Sequence, residues 1–373
     1  MKRKIYFVIV IVLLSGHLFS QVTTNKIVGN KNQALKDSLS NQEYPYALPI
    51  WGKKLTAAGF QLPYSAGLSV NYFWQESDLI ISDLSVGFNN GPMYDLTEVI
   101  RFDDAISTAN ALNFRPDFWL FPFLNVYGIF GKAKTSTAIT AGLWLPDSEN
   151  NWGEVTTFST EAKFDATSLG FGLTPTIGVG GGFLALDMNT VWTDVSALDK
   201  PVFTFVFGPR LGKSFKFKKP DMNITTWIGG FRVNFSSETA GSINLSDIFQ
   251  TDELQSKVDQ GLTKVSETAV AVDDWWNSLT PVEQKNPANV AKYETANRVL
   301  ETAGGLLTSM DAALNDDQSA SVQYSLIKKP KDMWNFLIGT QFQINRHFMI
   351  RAEYGFLSSR QQFTGGLQYR FGL

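Results

Sequence analysis

Residues 168–179 read SLGFGLTPTIGV, in which Leu169, Phe171, Leu173, Ile177 and Val179 alternate with Ser168, Gly170, Gly172, Thr174, Thr176 and Gly178. A helix would scatter these side chains around its circumference. An extended strand turns successive side chains to opposite faces, so a period of two means a strand with one apolar and one small or polar face. Pro175 falls on the apolar face and removes one ladder donor, which predicts a bulge or a strand end there. The same division recurs near the C-terminus. Phe336, Ile338, Phe342 and Ile344 oppose Asn335, Gly339, Gln341 and Gln343, and Ile350, Ala352, Tyr354 and Phe356 oppose Arg351, Glu353 and Gly355. Phe363, Leu367, Tyr369 and Phe371 oppose Thr364, Gly366, Gln368 and Arg370, and a short turn of Asn345, Arg346 and His347 joins the first two of these strands.

Period two fits either a soluble sandwich with its apolar face inward or a barrel in lipid with that face outward. Composition favours the barrel. Aromatic residues make up 13% of the chain, with 29 Phe and 10 Trp beside 30 Gly, against only 18% charged residues. Strands of about 9 to 12 residues with Trp and Tyr near their ends suit a bilayer. Further strands are expected over 66–74, 79–88, 118–130, 136–145, 183–193, 202–211, 223–235 and 321–327. The fold class is therefore mainly β, a transmembrane antiparallel β-barrel of about twelve strands spanning 65–373, with outer-membrane lipid as its surroundings. Gly180, Gly181 and Gly182 form a turn, and no helix follows them, which argues against a phosphate-binding loop.

Three basic residues within 1–4, an apolar run over 5–14 and small or polar residues up to Ser20 have the layout of a signal peptide, residues 1–20. Its removal takes the formal charge from -3 to about -6, and no basic stripe is present for nucleic acid. Residues 21–64 form a polar leader that either precedes the barrel or folds into its lumen.

Between Phe235 and Ser321 the period changes. Val258, Leu262, Val265, Ala269, Val272, Trp276 and Leu279 follow alternating spacings of four and three, as do Tyr293, Ala296, Leu300, Ala303, Leu307, Met310 and Leu314. These seams predict an antiparallel coiled-coil hairpin over 246–315. Thr280, Pro281 and Glu283 make a capping-box arrangement between the arms, and Asn286 with Pro287 offers a second helix start. Gly304 and Gly305 weaken the second arm. The hairpin either packs against the barrel mouth or engages a periplasmic or surface protein, with Trp275 and Trp276 as the partner-binding candidates. Counting strands back from a periplasmic C-terminus puts the Asn345–His347 turn in the periplasm, residues 328–332 outside, and the helical hairpin on the periplasmic side.

The chain has no cysteine, and after signal removal its only histidine is His347. Thiol chemistry and histidine-rich metal sites are excluded, and a histidine in a membrane-rim turn is badly placed as a catalytic base. No enzyme activity, cofactor or metal is expected, and the acidic pairs Asp273 with Asp274 and Asp316 with Asp317 read as solvated faces. The charged candidates for the lumen are Asp187, Arg210, Arg232, Arg351, Glu353 and Arg370, which either brace a narrow interior or set solute selectivity.

The terminal residues GLQYRFGL resemble the last strand of Gram-negative outer-membrane barrel proteins. This implies recognition by the barrel-assembly machinery through Leu367, Tyr369 and Phe371, although Gly372 and Leu373 follow the aromatic on which that strand usually ends. Residues 18–21, LFSQ, resemble signal cleavage sites of Bacteroidetes-type bacteria. The expected function is a non-enzymatic, porin-like outer-membrane barrel, a narrow channel or transporter for small or lipid-like solutes. The alternative is a structural, adhesin or assembly-partner protein acting through its hairpin.

Overall fold

The structure, a computed structural model, describes residues 44–373 except 59, 148, 197, 199, 220, 236, 250 and 317–319, together with the short strand Asn25–Lys26, which pairs with Phe60–Gln61. The expected signal peptide and most of the expected leader lie outside the described residues. The main strands are β1 (Ala66–Phe88), β2 (Ile100–Phe121), β3 (Leu124–Pro146), β4 (Trp152–Val179), β5 (Gly182–Val195), β6 (Val202–Lys216), β7 (Asn223–Phe235), β8 (Ser237–Asn244), β9 (Ser321–Pro330), β10 (Trp334–Gln343), β11 (Phe348–Leu357) and β12 (Arg360–Phe371).

Ten of these strands close a ring in the order β1, β12, β11, β10, β7, β6, β5, β4, β3, β2 and back to β1, every neighbouring pair antiparallel. Strands β8 and β9 and the short strand Tyr94–Asp95 lie outside the ring. The barrel therefore has ten strands and not about twelve. Residues 66–74 and 79–88 are one uninterrupted strand, β9 does not join the ring, and the segment expected over 118–130 contains a tight turn between Phe121 and Leu124.

The outer face of the ring is a belt of large apolar side chains, among them Leu112, Phe114, Phe130, Leu169, Phe171, Ile228, Phe336 and Leu367. Such a belt is stable against lipid and not against water. At the end that carries Ala66 and Phe371, called the lower end here, the connections are short. Val179 and Gly182 face each other across Gly180 (φ 55) and Gly181 (φ 79), a pair of left-handed residues that suits a tight hairpin. Asn345 closes the turn before β11 by accepting from the backbone N–H groups of His347 and Phe348. Leu48 pairs its N–H with the carbonyl of Leu373 and Ile50 with that of Leu120, so the described part of the leader runs across this lower end.

At the opposite, upper end several strands overshoot the apolar belt. Strand β4 has 28 residues, about 90 Å at about 3.3 Å per residue, and its outer face turns polar above Leu169 with exposed Thr167, Asp165 and Lys163. Above Asp78, which pairs with Ile106, β1 leaves β2, and on its other edge β9 takes over from β12 and itself pairs with β8. Two extended walls result, one of β2, β3 and β4 and the other of β1, β9 and β8. The wall is lowest between them at β5 and β6, whose upper ends are Val195 and Val202.

The helices follow these walls. Helix α1 (Gly52–Ala57) lies in the leader, α2 (Leu245–Ile248) continues from β8, and α3 (Thr251–Ser278) and α4 (Pro287–Leu314) form the antiparallel hairpin. Leu254, Val258 and Val272 of α3 and Ala296, Leu300, Ala303 and Leu307 of α4 are buried in one core with Phe88, Val99, Leu143, Leu145 and Val322 of the walls. A second stripe on α4, Val299, Leu306 and Ala313 at intervals of seven, widens its apolar face enough to pack on the strands as well as on α3. Gly305 admits the ring of Tyr94, whose hydroxyl meets Ser309 at 2.9 Å.

The hairpin is at the end opposite the Asn345–His347 turn, which corrects the expected placement on the same side. Residues 328–332 are not a turn. Strands β9 and β10 both descend, each antiparallel to an ascending strand, so they form one broken descent that takes the place of two barrel crossings.

Candidate functional site

The inward faces of the strands carry polar and charged side chains, and the charged ones that line the cavity lie within six residues of the lower ends of their strands. Strand alternation sets this arrangement. Arg115 and Asp117 on β2, Asp187 on β5, Arg210 on β6, Arg351 and Glu353 on β11 and Arg370 on β12 all face the lumen.

Two layers form. In the lower one, Arg370 donates from Nη1 to Asp117 at 3.1 Å and from Nε to the carbonyl of Tyr64 at 3.0 Å. Asn125 and Gln368 donate to the same carboxylate at 2.8 and 2.6 Å. In the upper one, Arg210 bridges two carboxylates, Asp187 at 2.9 Å and Glu353 at 2.9 Å. The Tyr127 hydroxyl donates to Asp187 at 2.6 Å and the Thr174 hydroxyl at 2.7 Å. Glu353 also accepts from Arg351 at 2.8 Å and from the Trp227 indole N–H at 2.8 Å. Arg351 lies over the Trp227 ring at 5.0 Å, and Arg115 lies over the Tyr127 ring at 3.3 Å. Buried charges are tolerable only when paired and hydrogen-bonded, and both carboxylates of this layer reach that state.

Two glycines make the layer possible. Tyr127 faces Gly172 across the β3–β4 ladder and Trp227 faces Gly339 across β7–β10, and each ring lies where the glycine's Cβ would be. An inward aromatic lying flat on a cross-strand glycine fills the narrow interior without pushing the strands apart.

A cavity of about 580 Å³ runs up the lumen, and both layers line its lower part. Ser69, Asn71, Asn113, Gln362 and Thr364 line one side of it, and Val191, Val206, Phe231, Val233 and Leu337 line another.

Five of the six charged residues expected in the lumen are brought together here. Arg232 is not among them. It lies on the outer face of β7, exposed, with Nη2 3.7 Å from the sulfur of Met333. The apolar Phe231 and Val233 take the inward positions beside it, so the polar face of this short stretch is the outer one. Arg115, Asp117, Tyr127 and Trp227 were not expected in the lumen. For Arg115 and Asp117 the signal is present, because Leu112, Phe114 and Phe118 alternate with them, but Pro116 interrupts the pattern.

No protein-family model matches the chain, and no curated protein matches it. Among solved structures, the β domain of the Bordetella autotransporter BrkA overlaps 82% of this chain and 100% of its own at 7% identity, with a TM-score of 0.31. The COG4313 outer-membrane channel from Pseudomonas putida F1 overlaps 83% of this chain and 96% of its own at 10% identity and a TM-score of 0.25. The outer-membrane protease OmpT from Escherichia coli overlaps 83% and 97% at 10% identity and a TM-score of 0.28. Overlaps this loose assign no activity to the chain, and the three proteins are named for three different ones.

The remaining expected residues have local roles. Leu367, Tyr369 and Phe371 alternate on the outer side of β12, Tyr369 against Phe348 and His347. His347 stacks on Tyr369 and holds the carbonyl of Arg370 through Nδ1 at 2.8 Å. Trp276 stacks on Tyr293 of α4 at 4.4 Å, and Trp275 packs on Trp276. The hydroxyl of Tyr293 donates to Asp273, and Asp316 accepts from Asn89; Asp317 lies outside the described residues.

Proposed function

We propose that this protein is a non-enzymatic outer-membrane β-barrel whose lumen is a narrow passage for small or lipid-like solutes, closed at rest. The observation that carries this reading is the combination of a partly polar cavity of about 580 Å³ with two layers of paired, buried charged side chains that line its lower part. A chamber of this size accepts a small molecule, and the layers project into its lower part, where they narrow the passage. The outer-membrane setting rests on the apolar outer belt and on the terminal strand with Leu367, Tyr369 and Phe371.

The test is the full chain reconstituted in planar bilayers and in liposomes. The expected result is no steady current of open-pore size together with measurable uptake of small solutes. A wide, steady current would overturn the closed lumen, and folded protein that neither admits nor binds any solute would overturn the passage.

A second reading is favoured by the tip of the hairpin, where Val282 is 81% exposed and Trp275, near the end of α3, is partly exposed. That reading makes the tip a contact for a periplasmic or surface protein. Pull-down of the same partner by the unaltered chain and by V282D with W275S would remove it.

A further inference from the structure

We propose that Arg115 and Arg351 form an anion site in the lumen, and that it takes a small organic monoanion with a compact apolar body, of the class of short-chain carboxylates. The proposal rests on the lumen being a solute passage and adds the charge and shape of the solute.

The charge tally of the cavity lining is unbalanced. Arg115, Arg210, Arg351 and Arg370 face Asp117, Asp187 and Glu353, four cations against three carboxylates. Arg370 is matched by Asp117, and Arg210 lies between Asp187 and Glu353. The surplus falls at the two ends of the upper layer. Arg351 has only a share of Glu353, which already takes Arg210 and Trp227. Arg115 has no carboxylate within salt-bridge distance among the described residues, and its contact is the face of Tyr127.

Both cations border the cavity and keep partial exposure; Asp187 and Glu353 line it too, but they are buried and already taken by hydrogen bonds and Arg210. A surplus cation in a concave, partly enclosed chamber attracts an anion more strongly than it would at a flat protein surface. A guanidinium offers two parallel N–H groups to a carboxylate, so the planar fork suits that ligand. The excess of one positive charge fits a monoanion. Val191, Val206, Phe231, Val233 and Leu337 on the wall of the same cavity give the rest of the molecule an apolar surface.

The experiment is calorimetric titration of the full chain in non-ionic detergent with hexanoate, hexanol and inorganic phosphate, repeated on R115Q, R351Q, R115K and R351K. Heat-modifiable mobility checks that each variant is folded. Hexanoate is expected to bind saturably and at least about tenfold more tightly than hexanol or phosphate. Loss of one charge-assisted contact in R115Q or R351Q is expected to weaken it about tenfold or more. The lysine variants, which keep the cation and lose the fork, are expected to weaken it less, and they carry the test if a glutamine variant fails to fold. Unchanged hexanoate affinity in the variants overturns the proposal. So does phosphate binding as tightly as hexanoate, which would make the site one for inorganic anions. Equal binding or uptake of hexanol would also overturn the anion site, while leaving the solute passage standing.

Discussion

Arg370 reaches Asp117 past the intervening strand β1, its Nη1 donating at 3.1 Å while both side chains are almost fully buried. The pair ties β12 to β2 across the strand that begins the ring, so it locks closure of the barrel at the lower end. Removing one partner leaves a buried charge uncompensated. Arg370→Ala is expected to cost about 3 kcal/mol, read as a lower urea midpoint for loss of heat-modifiable mobility. An unchanged midpoint would show that the pair is not part of the closure.

Gly172 and Gly339 leave room for Tyr127 and Trp227. Gly172→Val and Gly339→Val are each expected to destabilise the barrel by about 1–3 kcal/mol through overpacking. Gly153 on upper β4, where an added Cβ meets nothing within 4 Å, serves as the control, and Gly153→Val is expected to change stability by less than about 0.5 kcal/mol. Equal effects at all three positions would remove the packing explanation.

Helices α3 and α4 are held by Val258 and Leu307, both fully buried between the two walls. A carboxylate at either position would be desolvated without a partner. In Val258→Asp or Leu307→Asp the hairpin is expected to detach and become sensitive to trypsin at its lysines, while the ring of ten strands keeps its heat-modifiable mobility. Simultaneous loss of the barrel would show that the upper core is needed for ring closure.

Between the helices, the Glu283 carboxylate accepts from the Thr280 hydroxyl at 2.7 Å and from its backbone N–H at 2.8 Å. These bonds, the hydroxyl first, hold its pKa below the ordinary glutamate value. A lowered folded pKa stabilises the turn fully above the unfolded value of about 4.3 and loses that contribution as the pH falls through the folded value. Amide exchange at residues 280–286 is expected to rise, relative to Glu283→Gln, as the pH drops below about 4. The same exchange ratio at pH 3 and pH 6 would contradict the cap.

Much of the fold is legible in local pattern. Leu169, Phe171 and Leu173 face outward, as do Phe336 and Ile338, because the pleat sends alternate residues to one face whatever the strand pairs with. The seam of α3 from Val258 to Trp276 is equally local. Thr280 and Glu283 form their capping box as expected, yet it closes only a turn. Asn286 is the residue that caps α4, accepting from the N–H of Ala288.

The lumen is legible only in part. Asp187, Arg210, Arg351, Glu353 and Arg370 sit on the small or polar face of clean strands. Arg232 does not, because this level of the lumen also accepts Phe231 and Val233, and alternation alone cannot say which of two mixed faces is inside.

The sequence by itself determined that this chain makes strands with one apolar face, a paired helical insertion and an interior without histidine or cysteine chemistry. The tertiary structure decided that ten strands close, that β9 pairs with β1 outside the ring, and that the hairpin therefore lies opposite the Asn345–His347 turn. It also decided that Arg115 stands over Tyr127, with no carboxylate within salt-bridge distance among the described residues. Side-chain alternation is a property of each strand's own backbone. Ring size, direction and charge pairing depend on contacts between residues far apart in the chain, such as Ala66 with Phe371 and Arg210 with Glu353.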